Sequence, residues 1–151
     1  NGLYAEGTAI GTVNAAISRE SGSGTRGAFD ELVKNSEGKT LDKAESFAKC
    51  VQTQNSTGAV ITQISTAGNT NLIGYISLGS LSEKVKALKY NGVEATVANI
   101  ESGAYKLSRP FLLLSKEGKT LSEAAQKFHD FIFSAEGQAI VEKDGYIKAV
   151  K

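Results

Sequence analysis

One cysteine, one histidine, one proline, no methionine and no tryptophan make this chain notable first for what it lacks. A structural zinc site takes four nitrogen or sulfur ligands, more than a lone His129 and a lone Cys50 supply. Cys50 has no partner for an internal disulfide and reads as a buried, inert thiol on a strand. Charge of one sign is also missing: 17 basic against 16 acidic residues leave a net charge of +1. Nucleic-acid binders usually carry a larger basic excess or a basic stripe. No apolar run approaches the ~20 residues that span a bilayer, and the longest, Pro110 to Leu114, is strand-sized. No N-terminal secretion pattern is present.

The remainder is ordinary globular composition, with 40% apolar and 22% charged residues in a chain of 151. A domain of this size buries roughly 68–70% of its unfolded surface, enough for a real core. Sixteen glycines against one proline predict many tight turns and few stiff linkers.

Periodicity predicts alternating strands and helices, hence an α/β domain. A loose lead-in occupies 1–12. Strands are expected at Val13 to Ile17, Cys50 to Gln54, Leu72 to Ile76, Val85 to Tyr90 and, most strongly, Leu107 to Lys116. Helices are expected at Thr25 to Asn35, Leu41 to Phe47, from Asn55-Ser56-Thr57 onward, at Val97 to Ser102, and from Thr120 through Lys143 to a stop at Gly145. Asn91-Gly92 reads as a hairpin turn. Glu37-Gly38-Lys39-Thr40-Leu41 recurs as Glu117-Gly118-Lys119-Thr120-Leu121, two similar loop-to-helix entries with Thr as the cap.

Several catalytic patterns fail on inspection. Each Gly-Lys-Thr lacks the upstream glycine that lets a P-loop wrap phosphates; Val33 and Leu113 stand there instead. Ser23 lacks the flanking glycines of a nucleophile elbow. His129, in Lys127-Phe128-His129-Asp130-Phe131, reads as a solvated surface residue rather than a general base. Glu83-Lys84 and Glu142-Lys143-Asp144 read as solvated helix faces.

Arg19-Glu20-Ser21-Gly22-Ser23-Gly24-Thr25-Arg26, between a strand and a helix, is different. Its glycines let backbone approach a ligand, and Ser23 and Thr25 supply hydroxyls. The amides of Gly24, Thr25 and Arg26 open a helix, where an anion is favoured. Arg19 adds a planar fork suited to a tetrahedral oxyanion. Every group donates, and no nucleophile has a base beside it. The pattern predicts oxyanion binding without chemistry; a capped helix after a flexible turn, with Arg19 in a surface ion pair, is the plainer alternative.

At these residues the chain resembles the phosphate-binding proteins of bacterial phosphate ABC transporters, two-lobed members of the periplasmic-binding-protein-like class II. The family pattern Arg-Glu-x-Gly-Ser-Gly-Thr-Arg stands here as Arg19 to Arg26. Asn55-Ser56-Thr57-Gly58-Ala59-Val60, Ile73-Gly74-Tyr75-Ile76-Ser77-Leu78-Gly79, Tyr105-Lys106-Leu107-Ser108-Arg109-Pro110-Phe111 and Ser134-Ala135-Glu136-Gly137-Gln138 follow in the family's order. The resemblance implies a lobe with a mixed sheet flanked by helices. It implies phosphate contacts at Arg19, Ser23, Gly24 and Thr25, edge contacts at Ser21, Ser56 and Thr57, and hinge or packing work for Arg109. Ser21 stands where some members carry an acidic residue that restrains the arginine, and Glu20 stands beside it.

Eighteen residues precede Arg19, fewer than the family's N-terminal region. The implied division is a lead-in at 1–12, a second lobe at 13–106, and a return strand with C-terminal helices at 107–151 belonging to or packing on the first lobe. The implied role is the phosphate-binding component of an importer, exported, lipid-anchored in Gram-positive bacteria, and docking on a membrane permease. No cofactor, metal or catalytic residue is implied. Apolar residues of the C-terminal helices suggest a homodimer. The alternatives are sulfate as the anion, a Ser23 enzyme, and a stand-alone oxyanion-binding or interaction module without a transport role.

Overall fold

The computed structural model describes residues 13–34, 38–41, 51–69 and 71–149. The expected lead-in, the helix beyond Leu41 and Cys50 lie outside the described residues. The chain divides into two compact units, 1–109 and 110–151.

In the first unit, Ala15–Arg19 forms β1, a strand buried along nearly its whole length. It begins two residues later than the apolar pattern predicts. Burial on both faces suits its small and branched side chains and marks a central strand. Val51–Gln54 forms β2 and Leu72–Gly74 forms β3, and both pair with β1 in parallel, in the order β2-β1-β3. The expected mixed sheet is thus, among the described residues, a parallel one.

Parallel neighbours need crossovers. Gly24–Leu32 forms α1, after β1, and Thr57–Ser65 forms α2, between β2 and β3. Ser56 caps α2, its hydroxyl accepting from the Ala59 amide at 3.1 Å. The core is Ala15, Ile17 and Val60, with Ile64, Leu72 and Ile76 packed against it. Here α2 sits so close to β3 that a Cβ on Gly74 would lie 2.9 Å from Ile64 Cδ1 and 3.2 Å from the Ile17 carbonyl oxygen. A side chain there would force these neighbours to shift.

Past β3, Leu78–Ser80 makes one 3-10 turn and Val97–Glu101 forms α3, capped by Thr96. The expected strand at Val85 to Tyr90 is absent. The Asn91-Gly92 turn does form, with φ of 50° and 79°, closing a single bridge between Tyr90 and Val93. A strand exists through its pairing, and one bridge does not extend one.

In the second unit, Glu123–Phe133 forms α4 and Ala135–Lys143 forms α5. Ser122, not Thr120, caps α4. The helix expected to run through Ser134 breaks there: Ser134 is extended, and its hydroxyl accepts from the Gly137 amide at 3.1 Å. Gln138, buried, donates to the Ile132 carbonyl and accepts from the Ala149 amide, both at 2.8 Å. Gly145, at φ 80°, ends α5 as expected.

The return strand expected at Leu107 to Lys116 is a correction. These residues form no strand, and Phe111 to Leu114 stand exposed. Among the described residues of 110–151 there is no other strand to pair with, and Pro110 brings no backbone donor.

Candidate anion-binding site

In open parallel sheets, ligands sit beyond the carboxyl ends of the strands. Here those ends deliver Arg19 from β1, Ser56 and Thr57 after β2, and Tyr75 and Ser77 after β3. After Arg19 the chain turns tightly: the Ser23 amide donates to the Glu20 carbonyl at 3.2 Å, and Gly22 adopts φ 88°. Ser23 then caps α1, its hydroxyl accepting from the Arg26 amide at 3.3 Å, while its carbonyl accepts from the Gly27 amide. The amides of Gly24 and Thr25 have no acceptor among the described residues, as expected of the first turn of a helix. Thr25 Oγ1 lies 3.4 Å from Ser77 Oγ, which makes no capping bond of its own.

Arg19 is buried and its guanidinium is held by three hydrogen bonds to two partners. Its Nε and one terminal nitrogen donate to the two oxygens of Glu20 at 2.8 and 2.9 Å. The other terminal nitrogen donates to Thr57 Oγ1 at 2.9 Å. Of the guanidinium's five N–H groups, two remain for a ligand. Hydrogen bonding from Arg19 holds the Glu20 carboxyl below the usual carboxylate range, and the same bonds raise the Arg19 pKa further.

The other candidates separate clearly. Arg26 spends its guanidinium on protein, donating to Asp30 at 3.2 Å and to the Arg19 carbonyl at 3.1 Å. Arg109 donates to the Gly24 carbonyl at 2.9 Å, a packing contact on the first turn of α1. Thr57 orients Arg19, Ser56 caps α2, and Ser21 lies exposed in the turn. His129 pairs with Asp130 at 3.1 Å and packs on Phe133. Among the described residues no cluster of three or more metal-ligating side chains occurs.

Two residues in contact with the loop carry no role in the sequence reading. Tyr75 and Ser77 belong to the quoted Ile73-to-Gly79 stretch, where a tyrosine and a serine alternate just after a strand. Both reach the loop because β3 lies beside β1.

Comparison with known proteins places the chain in a family. Residues 10–136 match the profile of the PBP superfamily domain. A protein of Streptococcus agalactiae named phosphate-binding protein PstS 2 is 50% identical over 141 residues, covering 91% of this chain and 46% of the relative. The Streptococcus pneumoniae protein of the same name is 43% identical over 142 residues, covering 94% and 47%. A crystal structure of a phosphate-binding protein of a phosphate ABC transporter from S. pneumoniae superposes with a TM-score of 0.74 at 44% identity, over 92% of this chain and 52% of that one. An ABC-type phosphate transport receptor from Vibrio cholerae gives 0.69 at 30% identity, over 88% and 52%. The chain thus spans about half the length of the relatives it matches. With a parallel sheet flanked by helices and the profile match across 10–136, the chain belongs to the PBP superfamily domain family.

Proposed function

We propose that this chain binds inorganic phosphate as part of the solute-binding component of an ABC importer. The observation that carries the reading is a cluster of donors at and beside the loop: the unbonded Gly24 and Thr25 amides, the Thr25 and Ser77 hydroxyls, and two spare N–H groups on Arg19. In this reading Arg19, Ser23, Gly24 and Thr25 contact the anion, Ser23 through its place in the turn, with Ser21, Ser56 and Thr57 at the edge. The names of the relatives support phosphate as the ligand and binding, rather than catalysis, as the work. Residues 13–106 are then the second lobe and 107–151 the segment that joins the first. Lobe closure over the anion and docking on a permease complete the cycle, in an exported protein that is lipid-anchored in Gram-positive bacteria. Exposed Phe128, Phe131 and Phe133 support self-association of the isolated chain through α4 and α5.

Sulfate is the second reading. The acidic side chains at the loop, Glu20 and Asp30, already accept from Arg19 and Arg26, so neither is given over to phosphate's proton alone. Donors that compete with water net about 0.5–1.5 kcal/mol each, so affinity in this chain should lie near millimolar. Titration of the ¹⁵N-labelled chain with phosphate and with sulfate tests both. Phosphate should shift the Gly24 and Thr25 amides first and bind more tightly than sulfate. No shift at either amide with tens of millimolar phosphate overturns the reading.

A further inference from the structure

Tyr75 follows β3 and touches both elements that flank the loop. Its hydroxyl lies 2.8 Å from Ser18 Oγ and accepts the Arg19 backbone N–H at 3.2 Å. Its ring lies flat on Phe29 of α1, with centroids 4.0 Å apart and planes 6° from parallel. The pairing of β1 with β3 stops at Ile17 opposite Gly74. Ser18 and Arg19 therefore run past the end of β3, and the phenol takes over where that strand has stopped. Tyr75 directly follows Gly74, which is paired with Ile17 in the sheet. One rigid side chain thus ties the last residues of β1 to the body of α1.

That position matters because the two donor groups of the loop come from different elements. The guanidinium hangs from the end of β1, and the free amides open α1. A binding constellation works only when such groups are held to about half an ångström. We propose that Tyr75 is a positioning residue: it sets Arg19 against the Gly24 and Thr25 amides and thereby tunes affinity for a tetrahedral oxyanion. The phenol acts through Arg19 and α1, since its hydroxyl is already engaged by Ser18 and Arg19. This inference rests on the oxyanion reading above.

The test is a phosphate titration of the whole chain followed by amide resonances, with Tyr75→Phe and Tyr75→Leu beside the unaltered protein. Tyr75→Phe keeps the stacked ring and loses the hydroxyl. It should weaken phosphate by roughly three- to tenfold, the worth of a neutral hydrogen bond, and move the Arg19 amide proton upfield, with a smaller fall in melting temperature than Tyr75→Leu. Tyr75→Leu should lose affinity and melting temperature together. Ser18→Ala, which removes the hydroxyl's other partner, should give a smaller loss of affinity in the same direction. Parent affinity in Tyr75→Phe overturns the proposal. If the unaltered chain shows no phosphate response, the binding reading fails, and the Arg19 amide then decides: an unmoved resonance in Tyr75→Phe overturns the brace as well.

Discussion

Ile17 and Leu114 are both aliphatic residues in apolar stretches, yet Ile17 is 1% exposed and Leu114 is 91% exposed. Ile17 lies in a strand with a neighbour on each side and α2 above it. Leu114 belongs to a run with no strand to pair with among the described residues of its unit. The first unit is held by apolar packing, whereas the buried residues of the two helices in the second are Gly137 and Gln138. Hydrophobicity supplies a driving force, but backbone pairing decides whether an apolar run becomes a strand.

Denaturant unfolding probes this contrast most directly. Ile17→Ala should cost about 2–5 kcal/mol, the usual loss for a buried isoleucine, whereas Leu114→Ala should stay within about 0.5 kcal/mol. Comparable losses would break the comparison. Gly137→Ala comes next. The new Cβ would sit 2.1 Å from the Phe131 carbonyl oxygen and 2.9 Å from that of Ile132. Rigid backbone cannot yield cheaply, so a loss of about 1–3 kcal/mol is expected, read as faster amide exchange along α5. Unchanged exchange would mean that the α4–α5 corner does not depend on that close approach.

At the loop the contrast is between two arginines. Arg19→Ala should weaken phosphate about tenfold or more, the worth of a charge-assisted bond, and Arg26→Ala should do less, because Arg26 is committed to Asp30 and the Arg19 carbonyl. Equal losses would count against the assignment. The smallest effect is a titration. The Glu20 carboxyl should titrate below the ordinary ~4.3, because Arg19 donates to it. A depressed folded-state pKa means that the pair's contribution is intact above the ordinary value and is lost as pH falls through the depressed one. Carbon-13 titration of Glu20 checks this, and Arg19→Ala should move the group back toward its ordinary range.

Local chemistry was enough to foresee much of the framework. Ser56 capping α2, the Asn91-Gly92 turn and the stop at Gly145 are short-range signals, readable within a few residues. The glycine and hydroxyl spacing that locates the Arg19–Arg26 loop is equally local. The strands expected at Val85 to Tyr90 and Leu107 to Lys116 had strand-like composition, but their fate hung on partners that composition does not name. The grip of Thr57 on Arg19 and the reach of Tyr75 were hidden for a related reason. Both depend on β1 lying between β2 and β3, a fact of sheet order. The move of the α4 cap from Thr120 to Ser122 is a small matter of choosing between two competent hydroxyls.

The pairing of Arg19 with Glu20, and of Arg26 with Asp30, has a bearing on kinetics. Arg19 and Arg26 each have a counter-charge within hydrogen-bond distance, so these two cations project little field into solvent. On the proposed reading, an anion would then not be drawn in from afar, as it would be by a funnel of unpaired lysines; it would be recognised on contact, by dipoles and amides. Ionic strength screens long-range attraction far more than short hydrogen bonds. Capture on such a surface should therefore proceed at nearly the same rate in dilute and in salty surroundings.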